Sequence, residues 1–238
     1  MNKNLSVRIN KFLSEKGPYS RRGVDRLIEE KRITVNDKVV KLGTKVSLND
    51  KIKIDGELVF KPKKKRKNIY LLFNKPIGIE CTTNQDVNNN IIDFIGYPSR
   101  LFPVGRLDKD SEGLIFLTND GDIVNKVLRS ERNNEKEYIV KVNKKITKEF
   151  INKMSRGVKI KNIQTKPCEI KKINNYTFEI ILTQGLNRQI RKMCALFEYK
   201  VKSLVRTRIM DIKLGNLKVG KYRKFTFEEL KKINTDLS

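Results

Sequence analysis

The chain of 238 residues is expected to be α+β and to fall into two parts, and three observations carry that expectation. Apolar strand-like runs and helical stripes follow one another without the strict strand–helix–strand repeat of a doubly wound sheet. Basic charge is concentrated in residues 1 to 68, which hold 20 Lys and Arg against 8 Asp and Glu, a net +12 of the chain's +26. That part closes on Pro62-Lys63-Lys64-Lys65-Arg66-Lys67-Asn68, a like-charged run behind a proline, the composition of an extended solvated linker. The sequence therefore divides into 1–61, a linker over 62–68, and a larger part over 69–238.

In the first part, Ile9, Phe12 and Leu13 are spaced for one helical face closed by Gly17. Ser20 can cap a second helix that turns Val24, Leu27 and Ile28 inward. The polar faces are basic, and Arg8, Lys11, Arg21, Arg22 and Arg26 are candidates to grip a phosphate backbone. Short strands follow at Ile33-Thr34-Val35, Val39-Val40, Thr44-Lys45-Val46 and Ile52-Lys53-Ile54, with turns at Asn36-Asp37 and Asn49-Asp50.

The second part opens with Ile69-Tyr70-Leu71-Leu72-Phe73, a buried strand, and Asn74-Lys75-Pro76-Ile77-Gly78 is expected to leave it as a loop. Leu114-Ile115-Phe116-Leu117 is a second buried strand, ended by Asn119-Asp120-Gly121. Ile123, Val124, Val127 and Leu128 then form a helical stripe, and Tyr138 to Val142 alternate as a half-buried strand. Phe178 to Leu182 is another strand, entering Thr183-Gln184-Gly185-Leu186. Ile190, Met193, Cys194 and Phe197 share one helical stripe.

Composition narrows the function. With 53 Lys and Arg against 27 Asp and Glu and a pI near 10.0, the chain calls for a polyanion, and nucleic acid is the default partner. A compositional bias toward Lys, Asn and Ile is the bland alternative. The absence of His excludes His-based triads, proton shuttles and His-ligated metals. Cys81, Cys168 and Cys194 have no metal-ligand spacing and are expected as reduced thiols. No apolar signal core or membrane-spanning run is present, so a cytoplasmic location is expected.

Against this basic background, Gly105-Arg106-Leu107-Asp108-Lys109-Asp110-Ser111-Glu112-Gly113-Leu114 places an acid in a glycine-bracketed turn before a strand. Asp108 is either a solvated turn residue or a nucleophile held on a rigid element. Arg188 and Arg191, three apart near a helix start, are either a basic surface turn or a site for a carboxylate or phosphate. Tyr138 is either a strand tyrosine or a substrate contact.

Residues Val7 to about Gly56 resemble an S4 RNA-binding domain, notably in Ser20-Arg21-Arg22, Ile33-Thr34-Val35-Asn36 and Asp50-Lys51-Ile52. Three later segments are similar, in order, to the motifs of the RsuA family of bacterial ribosomal pseudouridine synthases. They are Gly105-Arg106-Leu107-Asp108 with Ser111-Glu112-Gly113-Leu114, then Lys136-Glu137-Tyr138, then Gly185-Leu186-Asn187-Arg188-Gln189-Ile190-Arg191. With Asn74 to Gly78, the resemblance covers nearly the whole chain. Gly185 to Cys194 and Arg206 to Met210 are most similar to the large-subunit branch of that family. Ser111 stands where the family's signature has Thr and retains the hydroxyl.

The resemblance implies a mixed, mainly antiparallel catalytic sheet behind the S4-like domain. It implies isomerisation of an RNA uridine to pseudouridine, without cofactor or metal. Asp108 would be the essential carboxylate and Arg191 its ion partner, with Arg188 a second partner or phosphate contact. Tyr138 would stack on the base, Lys136 and Leu204 would contact the substrate, and Arg106 would help hold the flipped nucleotide. The partner would be ribosomal RNA, 23S rRNA first, with 16S rRNA and tRNA as alternatives, and a monomer is expected. A non-catalytic RNA-binding or ribosome-assembly factor is the competing class, against which the joint presence of Asp108, Tyr138 and Arg191 speaks.

Overall fold

In the computed structural model the chain divides into two compact units, Met1–Asn68 and Ile69–Ser238. The structure describes residues 6–59, 68–128 and 134–235. Residues 62–67 of the expected linker lie outside the described residues.

The first unit begins with strand β1 (Val7–Arg8), which runs directly into helix α1 (Ile9–Lys16). Ile9, Phe12 and Leu13 are buried, and the Gly17 N–H closes the helix on the Leu13 carbonyl. Helix α2 (Arg21–Glu29) is capped as its sequence implies, with Ser20 Oγ accepting from the Gly23 N–H at 2.9 Å. Then come β2 (Ile33–Val35), β3 (Lys38–Val39), β4 (Lys45–Val46), β5 (Ile52–Ile54) and β6 (Glu57–Leu58). Four of these form a sheet of order β3-β2-β5-β6, while β4 pairs with β1. Asn36 and Asp37 both have positive φ, 51° and 65°, which suits a two-residue turn matched to strand twist. Val24, Ile33, Val46 and Ile52 join the α1 residues in one core.

In the second unit, β7 (Tyr70–Lys75), α3 (Ile91–Ile95), β8 (Phe102–Val104), β9 (Glu112–Thr118) and α4 (Gly121–Leu128) come first. They are followed by β10 (Lys136–Val142), α5 (Lys148–Ser155), β11 (Lys159–Ile160), β12 (Ile163–Gln164), β13 (Glu169–Lys172) and β14 (Thr177–Leu182). The chain ends through α6 (Gln189–Ala195), β15 (Val201–Ile209), β16 (Ile212–Lys213), β17 (Tyr222–Lys224) and α7 (Phe227–Thr235). The main sheet has the order β13-β14-β10-β15-β9-β7-β17, with β16 on β15 and β8 on β9. Its pairings are antiparallel except between β15 and β9, so the sheet is mixed and mainly antiparallel, as expected.

The continuous apolar runs of β7 and β9 follow from burial on both faces. Leu72, Leu114 and Phe116 enter one core with Val127 and Ile209. Leu71, Phe73, Ile115 and Leu117 enter another with Ile91 and Leu107. A third core, around Val140, Phe150, Phe178, Ile180 and Met193, lies between α5, α6 and the strands β10 and β14.

One expectation needs correction. Strand β7 continues through Asn74 and Lys75, and the loop begins only at Pro76. Both side chains are buried because both find main-chain acceptors. Asn74 Nδ2 donates to Leu217 O at 2.7 Å, and Lys75 Nζ donates to Pro76 O and Ile79 O at 2.8 and 2.9 Å.

Candidate active site

The loop between β8 and β9 carries Asp108 and forms one wall of a cavity of about 610 Å³. Gly105 enters this loop at φ 77°, a conformation open to glycine at little cost. The Ser111 N–H closes a turn on the Asp108 carbonyl at 3.0 Å, and the Leu107 N–H donates to Cys81 Sγ at 3.3 Å. The Gly78 N–H donates to Lys109 O at 2.8 Å, so the loop after β7 supports the Asp108 loop from outside. Asp108 itself is half-buried, and its carboxylate has no hydrogen-bond or ion partner among the described residues.

The other walls come from the start of β10, residues 182–190 and the middle of β15. Lys136 and Tyr138 alternate with Glu137 on β10 and share one face of the strand. Tyr138 is opposite Arg206 on β15, and Val140 is opposite Leu204, so Tyr138, Leu204 and Arg206 reach the cavity from adjacent strands. Lys136 Nζ donates to Asn134 O at 3.0 Å. Burial, and after it the charge of Arg206, pulls the Lys136 ammonium below its ordinary range.

The expected ion pair between Arg191 and Asp108 is not what the structure holds; the arginines gather on Asp110. Arg188 makes a fork to both Asp110 oxygens at 2.8 Å each. Arg191 Nη2 donates to Asp110 O at 2.7 Å and to Ser111 Oγ at 3.3 Å. Arg191 Nε lies 3.3 Å from Asp110 Oδ2 but is not aligned for a hydrogen bond. The reason is the turn closed by Ser111: it directs Asp108 to the cavity and Asp110 to the start of α6. Hydrogen bonds from Arg188, then the charge of Arg191, hold the Asp110 carboxyl below the usual range against the opposing effect of burial. Arg188, at the N-cap of α6, has φ 52° and ψ 36°, a left-handed conformation that costs a non-glycine residue roughly 1 kcal/mol.

Of the residues expected at the site, Arg106, Asp108, Lys136, Tyr138, Arg188 and Leu204 line the cavity. Arg191 instead braces the loop from behind. Arg8, Lys11, Arg21, Arg22 and Arg26 belong to the first unit, where Arg8, Arg21, Arg22 and Arg26 are exposed and Lys11 is half-buried beside Glu15 at 3.6 Å.

Sequence reasoning missed Arg206, Lys75 and Asp110. Arg206 is 3% exposed and Lys75 is fully buried, and a hydropathy pattern places both cations on the surface. The adjacent Asn74 and Pro76 hinted at a structured exit from β7, and Asp110 was visible only as a second acid in the loop. Among the described residues no group of His, Cys, Asp and Glu is arranged to hold a metal.

Residues 69–196 match the RNA pseudouridylate synthase family, and residues 7–52 match the S4 domain. The chain is 49% identical over 225 residues to the dual-specificity RNA pseudouridine synthase RluF of Escherichia coli (strain K12), covering 94% of this chain and 77% of that protein. It is 32% identical over 235 residues to ribosomal large subunit pseudouridine synthase B of Bacillus subtilis (strain 168), covering 95% of each. A crystal structure of a pseudouridylate synthase, 29% identical, matches 96% of this chain and 100% of that one with a TM-score of 0.70. An S4 domain ahead of a mixed catalytic sheet, with these similarities along almost its whole length, places the chain in the RsuA family of RNA pseudouridine synthases, isomerases that convert uridine to pseudouridine.

Proposed function

We propose that this protein isomerises a specific uridine of ribosomal RNA, 23S rRNA first, in the cytoplasm and as a monomer. The observation that carries the reading is the cavity itself: Asp108, a carboxylate without a partner among the described residues, lines it together with Tyr138, Leu204 and several cations. The large ribosomal subunit in the name of the Bacillus relative supports the choice of RNA, and the dual specificity in the name of the Escherichia relative makes 16S rRNA and tRNA necessary comparisons.

Residues 1–61 act as the RNA-gripping domain, 62–68 as its tether and 69–238 as the catalytic domain. Arg8, Lys11, Arg21, Arg22 and Arg26 meet phosphates, a sequence-independent contribution to affinity. The target nucleotide leaves its stack at a cost of a few kcal/mol and enters the cavity. Tyr138 stacks on the base, Leu204 packs beside it, and Arg106, Lys136 and Arg188 meet its polar groups and flanking phosphate. Asp108 acts on the ribose while the N1–C1′ bond breaks, its electron pair remaining with the base. The base turns, C5 bonds to C1′, C5 loses a proton and N1 gains one, so no atom is added or lost. Arg191 serves Asp108 through the loop, by holding Asp110 and Ser111.

The test is incubation with unmodified 23S, 16S and tRNA transcripts, carbodiimide labelling and reverse-transcription mapping. Asp108→Asn is expected to abolish new stops, at least about 1,000-fold, with RNA affinity within a few fold. Turnover by that variant removes Asp108 from its role. RNA binding by the wild-type protein without a stop on any transcript favours the binding-factor reading instead.

A further inference from the structure

Arg206 occupies the point in β15 where the sheet changes from antiparallel to parallel pairing. Tyr138 of β10 is its partner on one side and Gly113 of β9 on the other. The approach to β9 is close, since a Cβ on Gly113 would lie 2.4 Å from the Arg206 carbonyl oxygen. The side chain is buried, and its hydrogen bonds go to the ends of the loop that carries Asp108. Nε donates to Leu114 O at 2.7 Å, in β9 three residues beyond the loop, and Nη1 donates to Arg106 O at 3.4 Å, two residues before Asp108.

This arrangement is poorly explained by stability alone. Nη2 is buried and has no acceptor among the described residues. A buried charged group with an unfilled donor is costly, and a well-packed apolar side chain is often the more stable solution. Arg208, two residues further along the same strand, shows the contrast. Its Nε donates to Glu137, and its Nη1 donates to Glu135 and to Met210 O. The Arg206 side chain is held short on one side of the loop, long on the other, and with a donor in reserve.

We propose that Arg206 is a positioning residue for the reaction: it clamps both ends of the Asp108 loop to the strand beside Tyr138, and the clamp tightens when RNA enters the cavity. The proposal rests on the assignment of Asp108 above. Hydrogen bonds that are long in a substrate-free enzyme shorten in the productive complex, and the Arg106 carbonyl is the one with distance to lose. A guanidinium holds its two carbonyls through separate nitrogens of a rigid planar fork, whereas an ammonium has to reach both from a single nitrogen. Misplacing a reacting group by about 1 Å is enough to cost on the order of 100-fold in rate.

Arg206→Lys retains the charge but loses the separate Nε and Nη1 donors that hold Leu114 O and Arg106 O, and is assayed on the RNA stem-loop identified by the mapping experiment. The expected result is a single-turnover rate about 100-fold lower at saturating RNA, with a dissociation constant within about 3-fold and an unchanged far-ultraviolet circular dichroism spectrum. Arg208→Lys, on the same strand, is the control, with a rate within about 2-fold of wild type. A folded Arg206→Lys protein that turns over at the wild-type rate, or that loses affinity instead of rate, overturns the proposal. Because the variant can fail to fold, hydrogen exchange of the wild-type protein supplies a second test. Amides of residues 105–114 gain protection on binding the same stem-loop carrying pseudouridine at the target position, and the absence of that gain overturns the tightening clamp. Turnover by wild-type protein in the same assay separates failure of this proposal from failure of the functional reading.

Discussion

Asp108 and Asp110 are two residues apart, yet their surroundings are opposite. Asp110 has two arginines, while the Asp108 carboxylate has no partner among the described residues. Asp110 therefore neutralises the cations near α6, and Asp108 is left available to the cavity. Asp110→Asn is expected to release the fork from Arg188 and slow turnover roughly 10-fold with the fold intact, as single-turnover kinetics will show. The same variant tests pH linkage. The Asp110 carboxyl is depressed in the folded protein below its ordinary value of 3.8. Its contribution to stability is therefore present above pH 3.8 and disappears as pH falls through the lower folded value. The difference between wild type and Asp110→Asn in urea midpoint is expected to shrink over that acidic window and to be constant near neutrality.

At this scale, residue types were legible and partners were not. Asp108, Tyr138 and Arg191 stand out through their motifs, but pairing depends on which way a tight turn directs each carboxylate. The cysteines are a simpler case. Burial pushes the Cys168 thiol up to about 11 and the Cys194 thiol up to about 12, which suits the reduced packing residues that their spacing implied.

At the scale of elements, the junction of β9 and β15 matters most to the site. It brings the Asp108 loop beside the strand that faces Tyr138, and Gly113 permits the approach with φ 114°. Gly113→Ala is expected to destabilise the protein by more than about 3 kcal/mol, from backbone strain together with a clash against main-chain atoms, and urea unfolding checks it. Sequence patterning located β7, β9, β10 and β14 because their runs are long and apolar or alternate clearly. It was silent on β8, β13 and β17, short strands stabilised by their neighbours rather than by composition. The exit from β7 was placed two residues early for a related reason: the propensity of Asn74 and Lys75 is overridden by acceptors supplied from Leu217, Pro76 and Ile79.

For the whole molecule, the net charge of +26 makes ionic strength the natural variable. Arg21, Arg22 and Arg26 project from α2 and have no ion partner among the described residues. Replacing the three by Ala is expected to weaken RNA binding and to flatten the slope of log K against log salt by about 2 to 3, while single-turnover chemistry at saturating RNA changes little. Filter binding across a salt series measures the slope, and an unchanged slope removes these side chains from the RNA interface.

The sequence by itself determined the class of partner, through net charge; the division into a small basic part and a larger one, through composition; and the family, through motifs that carry their own spacing. It also determined most long strands and helix α2 with its Ser20 cap, because hydrophobic period and cap chemistry are local properties. Tertiary structure decided what those residues do to one another. Arg191 supports the Asp108 loop rather than the carboxylate, Lys75 is buried, and Arg206 reaches across from β15 to both ends of the loop. Each outcome depends on contacts between segments remote in sequence, where a buried cation is tolerated only if the fold delivers carbonyl oxygens to it.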